Sequence, residues 1–500
     1  MSSHQPAPAS SGSTEGQEYF AERSLKQGAG GWVILAGLGV AYVISGDFSG
    51  WNGGLATGGF GGLLIAFLLM GIMYLFMCFG IAEMSAAMPV AGAGYSFARR
   101  AMGRFGGYAT GVAILIEYAI APAAIATFIG DYVRELFGWE SSFWLNVGIY
   151  AVFWIVFVGI QLIGAGEALK TIFVITAIAV VALVVYFVAI APHFDAGQLT
   201  NIEPDGSFGS SEFLPFGVKG TLASLVCGIW FFLGIEGVPV AAEEAKDPKR
   251  DMPRGIIIGM LCLLVFGALV LFLSPGGTNV TVDGCATDIA STSPGGSACI
   301  AGAGAPLIVA LKAAGAQSWI VTFVNIAGLA GLIASFFSLI YACSRQLFAL
   351  SRAGYLPRWI SVTSKRKVPT LAYLVPGTIA FVLGAWQQSG ARMMDIAVFG
   401  ATISYVMMSL SHVILRIRAK DLQRYYLTPG GAITTGIATI LGVVAVVSVF
   451  VYDPKAALLT LAVFVVLMAY FLLYSHKHVV GNAPEEEFQL LAAQEAELEK

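Results

Sequence analysis

Apolar residues run along this chain in blocks that leave no polar face. Between short stretches of charge, proline and asparagine, twelve such blocks stand out, at about 31–55, 62–87, 105–133, 143–163, 168–191, 217–241, 255–274, 317–344, 370–387, 394–416, 431–452 and 455–475. About 20 apolar residues cross the hydrocarbon of a bilayer as a helix. Backbone in lipid has to satisfy its own hydrogen bonds, so all twelve are expected to be helical. Two blocks are interrupted. The first carries Ser45-Gly46-Asp47-Phe48-Ser49-Gly50 and the sixth carries Gly234-Ile235-Glu236-Gly237-Val238-Pro239. These are poor helix formers placed where a span should cross the midplane, and they predict unwinding there. Interruptions five spans apart, in corresponding positions of two halves, point to an inverted repeat with a binding site between the halves.

Composition agrees with a membrane protein. Of the 500 residues 57% are hydrophobic and 11% charged, against roughly a quarter charged in a soluble domain. That excludes a soluble enzyme and a disulfide-stapled secreted domain. Sixty glycines suit close helix packing in lipid. Residues 1–29, rich in Ser, Gly, Pro and Glu without an apolar leader, read as a disordered cytoplasmic tail. Residues 476–500 read as an acidic cytoplasmic tail, with a short surface helix as the alternative for Glu485–Lys500. With the N-terminus inside, 22 of the 27 Lys and Arg residues fall in cytoplasmic segments; the other 5 are Arg134, Lys219, Lys312, Arg392 and Lys455. This predicts a plasma (inner) membrane protein with both termini in the cytoplasm.

Cys285 and Cys299 share the long outer loop after the seventh span, where a disulfide and two free thiols are both open readings. No CxxC or histidine cluster suggests a metal, and nothing points to a cofactor or to nucleic acid. His412, the only histidine in a span, has no evident partner, and no nucleophile–base pair stands out, so an enzyme is not expected. A channel would need a continuous polar pore, which the spans do not offer.

Four carboxylates lie more than three residues inside a span: Asp47, Glu83, Glu117 and Glu236. Ionisable groups in a membrane are costly and each needs a reason. With no Lys or Arg at comparable depth, the counter-charge is expected from outside, as a cation or protons. Asp47 reads as a cation-binding carboxylate in an unwound segment, or as the cap of an outer turn. Glu236 reads as an amine ligand, with aromatics before it for cation–π contact, or as a bridge to freed backbone amides. Glu117 is a site-lining acid or a buried one bonded to a neighbouring hydroxyl. Glu83, near the inner end of its span, is expected to bond a cytoplasmic loop.

Three motifs carry a resemblance. Ile81-Ala82-Glu83-Met84-Ser85 through Tyr95, ending in Arg99-Arg100, is similar to the second-span signature of the amino acid–polyamine–organocation transporters. Trp230 to Glu236 followed by Glu243-Glu244-Ala245-Lys246-Asp247-Pro248 resembles their sixth span and its loop, and Ser344-Arg345-Gln346-Leu347 through Pro357 resembles their loop after span eight. Within that superfamily, Gly37 to Phe48, Trp51-Asn52 and Ile116-Glu117-Tyr118-Ala119-Ile120-Ala121-Pro122 look most like the ethanolamine permeases. The resemblance implies an all-α integral membrane protein of 12 transmembrane helices, with the leucine-transporter-type 5+5 inverted repeat and broken helices 1 and 6. Residues 30–192 would form the first repeat, 193–216 an outer loop, 217–418 the second repeat and 428–475 two peripheral spans. It further implies alternating access, with substrate held at the breaks by Ile44, Ser45, Gly46, Asp47, Glu117, Tyr118, Trp230, Phe231, Gly234 and Glu236. Trp230 resembles a gating aromatic of relatives such as the arginine/agmatine antiporter.

Two departures refine this. Amino acid carriers of the superfamily usually place Gly-x-Gly at the first break, where free amides receive the substrate carboxylate; here Asp47 stands in place of the second glycine. Two like charges about 4 Å apart repel by roughly 4 kcal/mol at an effective dielectric of 20. An ionised Asp47 therefore favours a small cation without a carboxylate, and ethanolamine is the expected cargo, with an amino acid or polyamine permease or exchanger as the alternative. Second, the span-five lysine of proton-coupled relatives aligns with Ala179, while Lys170 lies too close to the cytoplasm. Coupling stays open between protons at Glu236 or Glu117, sodium at the hydroxyls of Ser335 and Ser338, and uptake driven by the membrane potential alone.

Overall fold

The computed structural model describes residues 30–479 other than 91, 164, 287, 365–367 and 421, and it describes the backbone but not the side chains of 165–169. The expected N-terminal tail, Arg23 and Lys26 within it, Lys365, Arg366, Lys367, and the C-terminal segment from 480 with Lys500 lie outside the described residues.

The first helix, α1 (Trp32–Val43), has 12 residues. At 1.5 Å each they cover about 18 Å, short of the roughly 30 Å of hydrocarbon. The crossing is completed in pieces. After Ile44 comes the single turn α2 (Ser45–Phe48), then an irregular link over 49–52, then the start of α3 (Gly53–Ala87). Gly59 breaks α3 with φ 67°, and a Cβ there would lie 2.3 Å from Pro215. So 53–58 finishes crossing one and 60–87 forms crossing two. The same device divides α4 (Gly94–Phe137), where Gly103 at φ 75° separates a short inner helix from crossing three.

The remaining crossings are α5 (Phe143–Gln161), α6 (Ala165–Ile190), α7 (Gly217–Trp230) with a 3-10 segment (Ile235–Glu244), and α8 (Pro248–Gly276). Two short helices, α9 (Gly296–Ile300) and α10 (Pro306–Ala313), precede α11 (Ser318–Arg352), α12 (Thr370–Gln387), α13 (Gly390–Arg418), α14 (Ala432–Tyr452) and α15 (Pro454–Leu473). Among the described residues, eleven helices are long and apolar enough to span a membrane, and the composite first crossing makes twelve. Among the described residues there is no strand, only isolated bridges.

The chain is thus an all-α membrane protein, and its packing repeats with a shift of five crossings. Crossing one (α1) packs on crossing seven (α8), as crossing six (α7) packs on crossing two (α3). Crossing three (α4) packs on crossing ten (α13), as crossing eight (α11) packs on crossing five (α6). Helices α14 and α15 sit at the periphery. Exposed Val and Ile on α5, α6, α14 and α15 face outward, with exposed Trp139, Trp144, Trp319 and Trp386 near helix ends, as interfacial belts require.

Two ion-pair clusters hold the scaffold at its Arg-rich end. The buried carboxylate of Glu83 accepts the Thr428 amide at 2.8 Å and pairs with Arg424 at 2.9 Å, Arg416 at 3.2 Å and His412 at 3.2 Å. His412 therefore has partners, Thr435 included at 2.8 Å, against the expectation of none. The reason is that they come from α3, α14 and the loop before α14, remote in sequence. Arg345 and Arg352, expected past the end of crossing eight, instead continue α11. Buried there, they pair with Glu244 and Glu243, each at 2.7 Å. A buried guanidinium needs such a carboxylate, and the two acids arrive on the continuation of crossing six.

Candidate functional site

The two interruptions meet. A Cβ added to Gly46 would stand 2.5 Å from the Trp230 carbonyl oxygen, so the broken backbones of crossings one and six touch. Only glycine permits that approach. Gly234, at φ 106°, turns the chain from the end of α7 into the 3-10 segment. The indole of Trp230 donates to the Ser49 carbonyl at 3.0 Å, and its ring meets Phe128 edge-on at 6.0 Å between centroids. Phe231 packs against Trp51 and Phe67.

Between the breaks lies a closed-up space lined by Tyr42, Ser45, Ile125, Trp230, Leu233 and Leu339 that has no room for a water molecule, whereas ligand pockets ordinarily begin at roughly 300 Å³. The site is shut, and a substrate enters only when one side opens. Toward the loop 301–304, a cavity of about 320 Å³ is bounded by Ser49, Asn52, Phe128, Asp131, Gly304 and Tyr452, among others.

Asp47 is fully buried, and neither carboxylate oxygen has a hydrogen-bond partner among the described residues. It is not part of the lining, although Ser45 is. Because 45–48 re-forms one helical turn, two steps of about 100° carry Asp47 roughly 200° round the axis from Ser45. Its neighbour Ile44 is the buried turn residue between α1 and α2.

Behind the sixth break, Tyr118 donates to Glu236 at 3.0 Å and the Gly234 amide donates to the other oxygen at 3.2 Å. Tyr405 donates to Glu117 at 3.0 Å. The carboxyls of Glu117 and Glu236 lie within hydrogen-bonding reach of each other. The second Glu117 oxygen, Oε2, has no hydrogen-bond partner among the described residues. The Tyr405 ring packs on Tyr74 at 4.9 Å, which packs on Phe232 at 5.5 Å.

Ser335 spans the first break from α11, donating to the Ala41 carbonyl at 2.7 Å and accepting from the Ser45 amide at 3.0 Å. Ser338 donates to Ala334 of its own helix at 2.7 Å. Ala179 is fully buried and lies beside Gly331, which itself abuts Phe48, while Lys170 is exposed.

Ser45, Trp230, Gly46, Gly234, Tyr118, Glu117 and Glu236 thus gather around the two breaks. Sequence reasoning missed Tyr42, Ile125, Leu233, Leu339 and Tyr405. A usable signal existed for the tyrosines alone, since a phenol in mid-span needs a polar partner. It also missed Asp131 and Asp395, which sit at the outer ends of α4 and α13. Asp395 is 4% exposed and one of its oxygens is unpartnered among the described residues.

Comparison with known proteins gives related carriers. The chain is 29% identical over 83% of its length to an uncharacterized transporter of Rhizobium meliloti, covering 84% of that protein. It is 27% identical to the branched-chain amino acid permease BcaP of Bacillus subtilis, over 91% of this chain and 95% of the relative. It is 25% identical to the methylthioribose transporter of the same organism, over 90% and 92%. Residues 33–481 match the amino acid permease family model. With touching breaks in crossings one and six and a match along nearly the whole membrane region, this chain belongs to the amino acid permease family of transporters.

Proposed function

We propose that the protein imports a small organic amine lacking a carboxylate, ethanolamine being the simplest, across the plasma membrane by alternating access. The observation that carries this is Asp47, buried beside the touching breaks with no hydrogen-bond partner among the described residues. An unpaired carboxylate in a dry site is costly, and an incoming ammonium supplies the missing charge. The reading requires α2 to turn as the site opens, bringing Asp47 round to the space that Ser45 lines. The Tyr42 hydroxyl, also without a partner among the described residues, suits the alcohol end. A substrate carboxylate is less well served: the Ser45 and Asp47 amides already donate to Ser335 and to the Ile44 carbonyl. The relative named for methylthioribose supports cargo other than amino acids on this scaffold.

The second reading, an amino acid permease or exchanger, is favoured by the apolar lining of Ile125, Leu233 and Leu339 and by the relative named for branched-chain amino acids. Uptake of labelled ethanolamine into proteoliposomes, competed with choline, alanine, leucine and putrescine, separates the two. Ethanolamine uptake abolished in Asp47→Asn supports the first reading. Leucine or alanine as the transported species, with Asp47→Asn at the parent rate, overturns it.

For coupling, the facing carboxyls of Glu117 and Glu236 favour a proton. Ser335 and Ser338 are occupied by backbone partners, which weighs against sodium. The membrane potential adds about 2.3 kcal/mol per 100 mV for a monovalent cation. The charge split in the loops supports both termini in the cytoplasm, and the Cys285–Cys299 disulfide supports an oxidising exterior for the loop that holds it.

A further inference from the structure

The loop between α8 and α11 reaches down onto the first break, and one side chain grips it. The Asn52 carboxamide, 5% exposed, donates to the carbonyl of Ile300 at 2.8 Å and to that of Ala303 at 2.9 Å. Ser49 adds a bond to the Gly304 carbonyl at 3.1 Å. Ser49 in turn accepts the Trp230 indole, so the loop, the first break and the aromatic over the closed space form one connected chain. The far side of the loop is anchored independently. Asn201 donates to the carbonyls of Ser293 and Gly295 and accepts the Ala298 amide. The Cys285–Cys299 disulfide ties the chain just before Ile300, with the Ala286 amide donating to the Cys299 carbonyl at 2.9 Å. Residues 301–304 border the 320 Å³ cavity, and Gly304 and Asp131 border a second one of about 330 Å³ beside it.

We infer that Asn52 is the latch of the outer lid: a positioning residue that couples closure of the loop 288–305 to the state of the first break. Both of its donors are spent on loop carbonyls, so the lid seats only while 49–52 holds its present shape. When the break rearranges, the two bonds are lost together and the lid lifts off the cavity. The disulfide keeps Ile300 and Ala303 presented to Asn52 while the lid is free. Asn52 touches no substrate in this arrangement. Its effect is on the balance between closed and outward-open states, as expected for an element with two discrete arrangements.

The inference rests on the transporter reading of the site but not on the identity of its cargo, and the main assay uses no substrate. Met394, buried at 1% exposure, lines the cavity under the lid. A Met394→Cys reporter in nanodiscs, where both faces are in solution, reacts with a polar maleimide only as the lid opens. The difference from protein without the reporter removes the native thiols. Asn52→Ala and the near-isosteric Asn52→Leu should each speed labelling about tenfold, the change expected from losing two neutral hydrogen bonds. Cys285→Ser/Cys299→Ser should speed it too, with Asn52 intact. In proteoliposomes, Asn52→Leu should lower the turnover of labelled ethanolamine or leucine, whichever is carried, and lower KM as well; a merely damaged protein loses turnover at constant KM. Parent-like labelling in both Asn52 variants overturns the proposal, as does faster labelling with KM unchanged.

Discussion

Replacing Gly46 with alanine tests the contact on which the closed site depends. The new Cβ would lie 2.5 Å from the Trp230 carbonyl oxygen, 3.3 Å from its carbon and 3.4 Å from the Phe231 Cα. All three atoms are backbone, so no rotamer relieves the clash. The oxygen must retreat from 2.5 Å to the 3.4 Å at which ordinary contact begins. Both breaks must then separate, and the Trp230–Ser49 bond of 3.0 Å lies directly across the gap. Overpacking of this kind costs about 1–3 kcal/mol, which is about 5- to 150-fold in the population of the closed state. A misplacement near 1 Å carries a comparable penalty of about a hundredfold in positioned chemistry. Counterflow in proteoliposomes, run with labelled ethanolamine and with labelled leucine, should therefore fall by one to two orders of magnitude whichever is the cargo. Gly436→Ala is the control, because a Cβ there meets nothing within 4 Å. If Gly46→Ala transports the accepted substrate at the parent rate, the apposition of the breaks is not part of the transport cycle.

Three further outcomes follow from the buried pairs. Arg345→Met strands Glu244, whose side chain is fully buried, and should lower stability by about 3–5 kcal/mol; Glu244→Leu/Arg345→Met should recover most of it in thermal unfolding, and a single variant as stable as the parent contradicts the pairing. Glu83→Gln keeps an acceptor for the Thr428 amide but loses the charge facing Arg416 and Arg424. It should cost about 1.5–3 kcal/mol, read as a lower melting temperature with faster proteolysis in the loop before α14. Glu236→Gln preserves an acceptor for Tyr118 while removing an ionisable carboxyl, so on the proton-coupled reading exchange should persist but uptake should no longer respond to an imposed pH gradient. A response equal to the parent's rules out this pair as the proton site.

Depth was legible in the sequence, whereas direction around each helix was not. Hydropathy located the crossings because a lipid-spanning helix is apolar on every side, and that uniformity leaves no moment from which to read a facing. The expected span 370–387 coincides with α12 because Pro369 and the Gln388 turn bound it. The second crossing begins at residue 60, two positions before the expected 62, because the positive φ of Gly59 ends the first crossing there. Partner choice was equally hidden. Glu243 and Glu244 stand about a hundred positions before Arg352 and Arg345, and nothing local marks either pair. The breaks were legible since glycine, serine and proline act locally on the backbone.

Asp47 shows how the two kinds of information combine. Its neighbours identified a break, and the break is there, touching the sixth crossing at Gly46. What residue types could not convey is that the chain re-forms a turn over 45–48, which sends Ser45 toward the closed space and Asp47 away from it. In this closed arrangement the carboxylate has no partner among the described residues, and burying an unpaired charge is unfavourable. Three events relieve that: a proton on the carboxyl, a cation beside it, or rotation of α2. Rotation by half a turn requires release of the bonds from Tyr132 to the Phe48 carbonyl and from the Ser45 amide to Ser335. On the proposed reading, α2 is therefore the element through which cargo charge is sensed. An ammonium stabilises the rotated form and a neutral solute does not, so selectivity for a cation arises from the equilibrium of one helical turn. The residues that line the space between the breaks then set only the size of what is accepted.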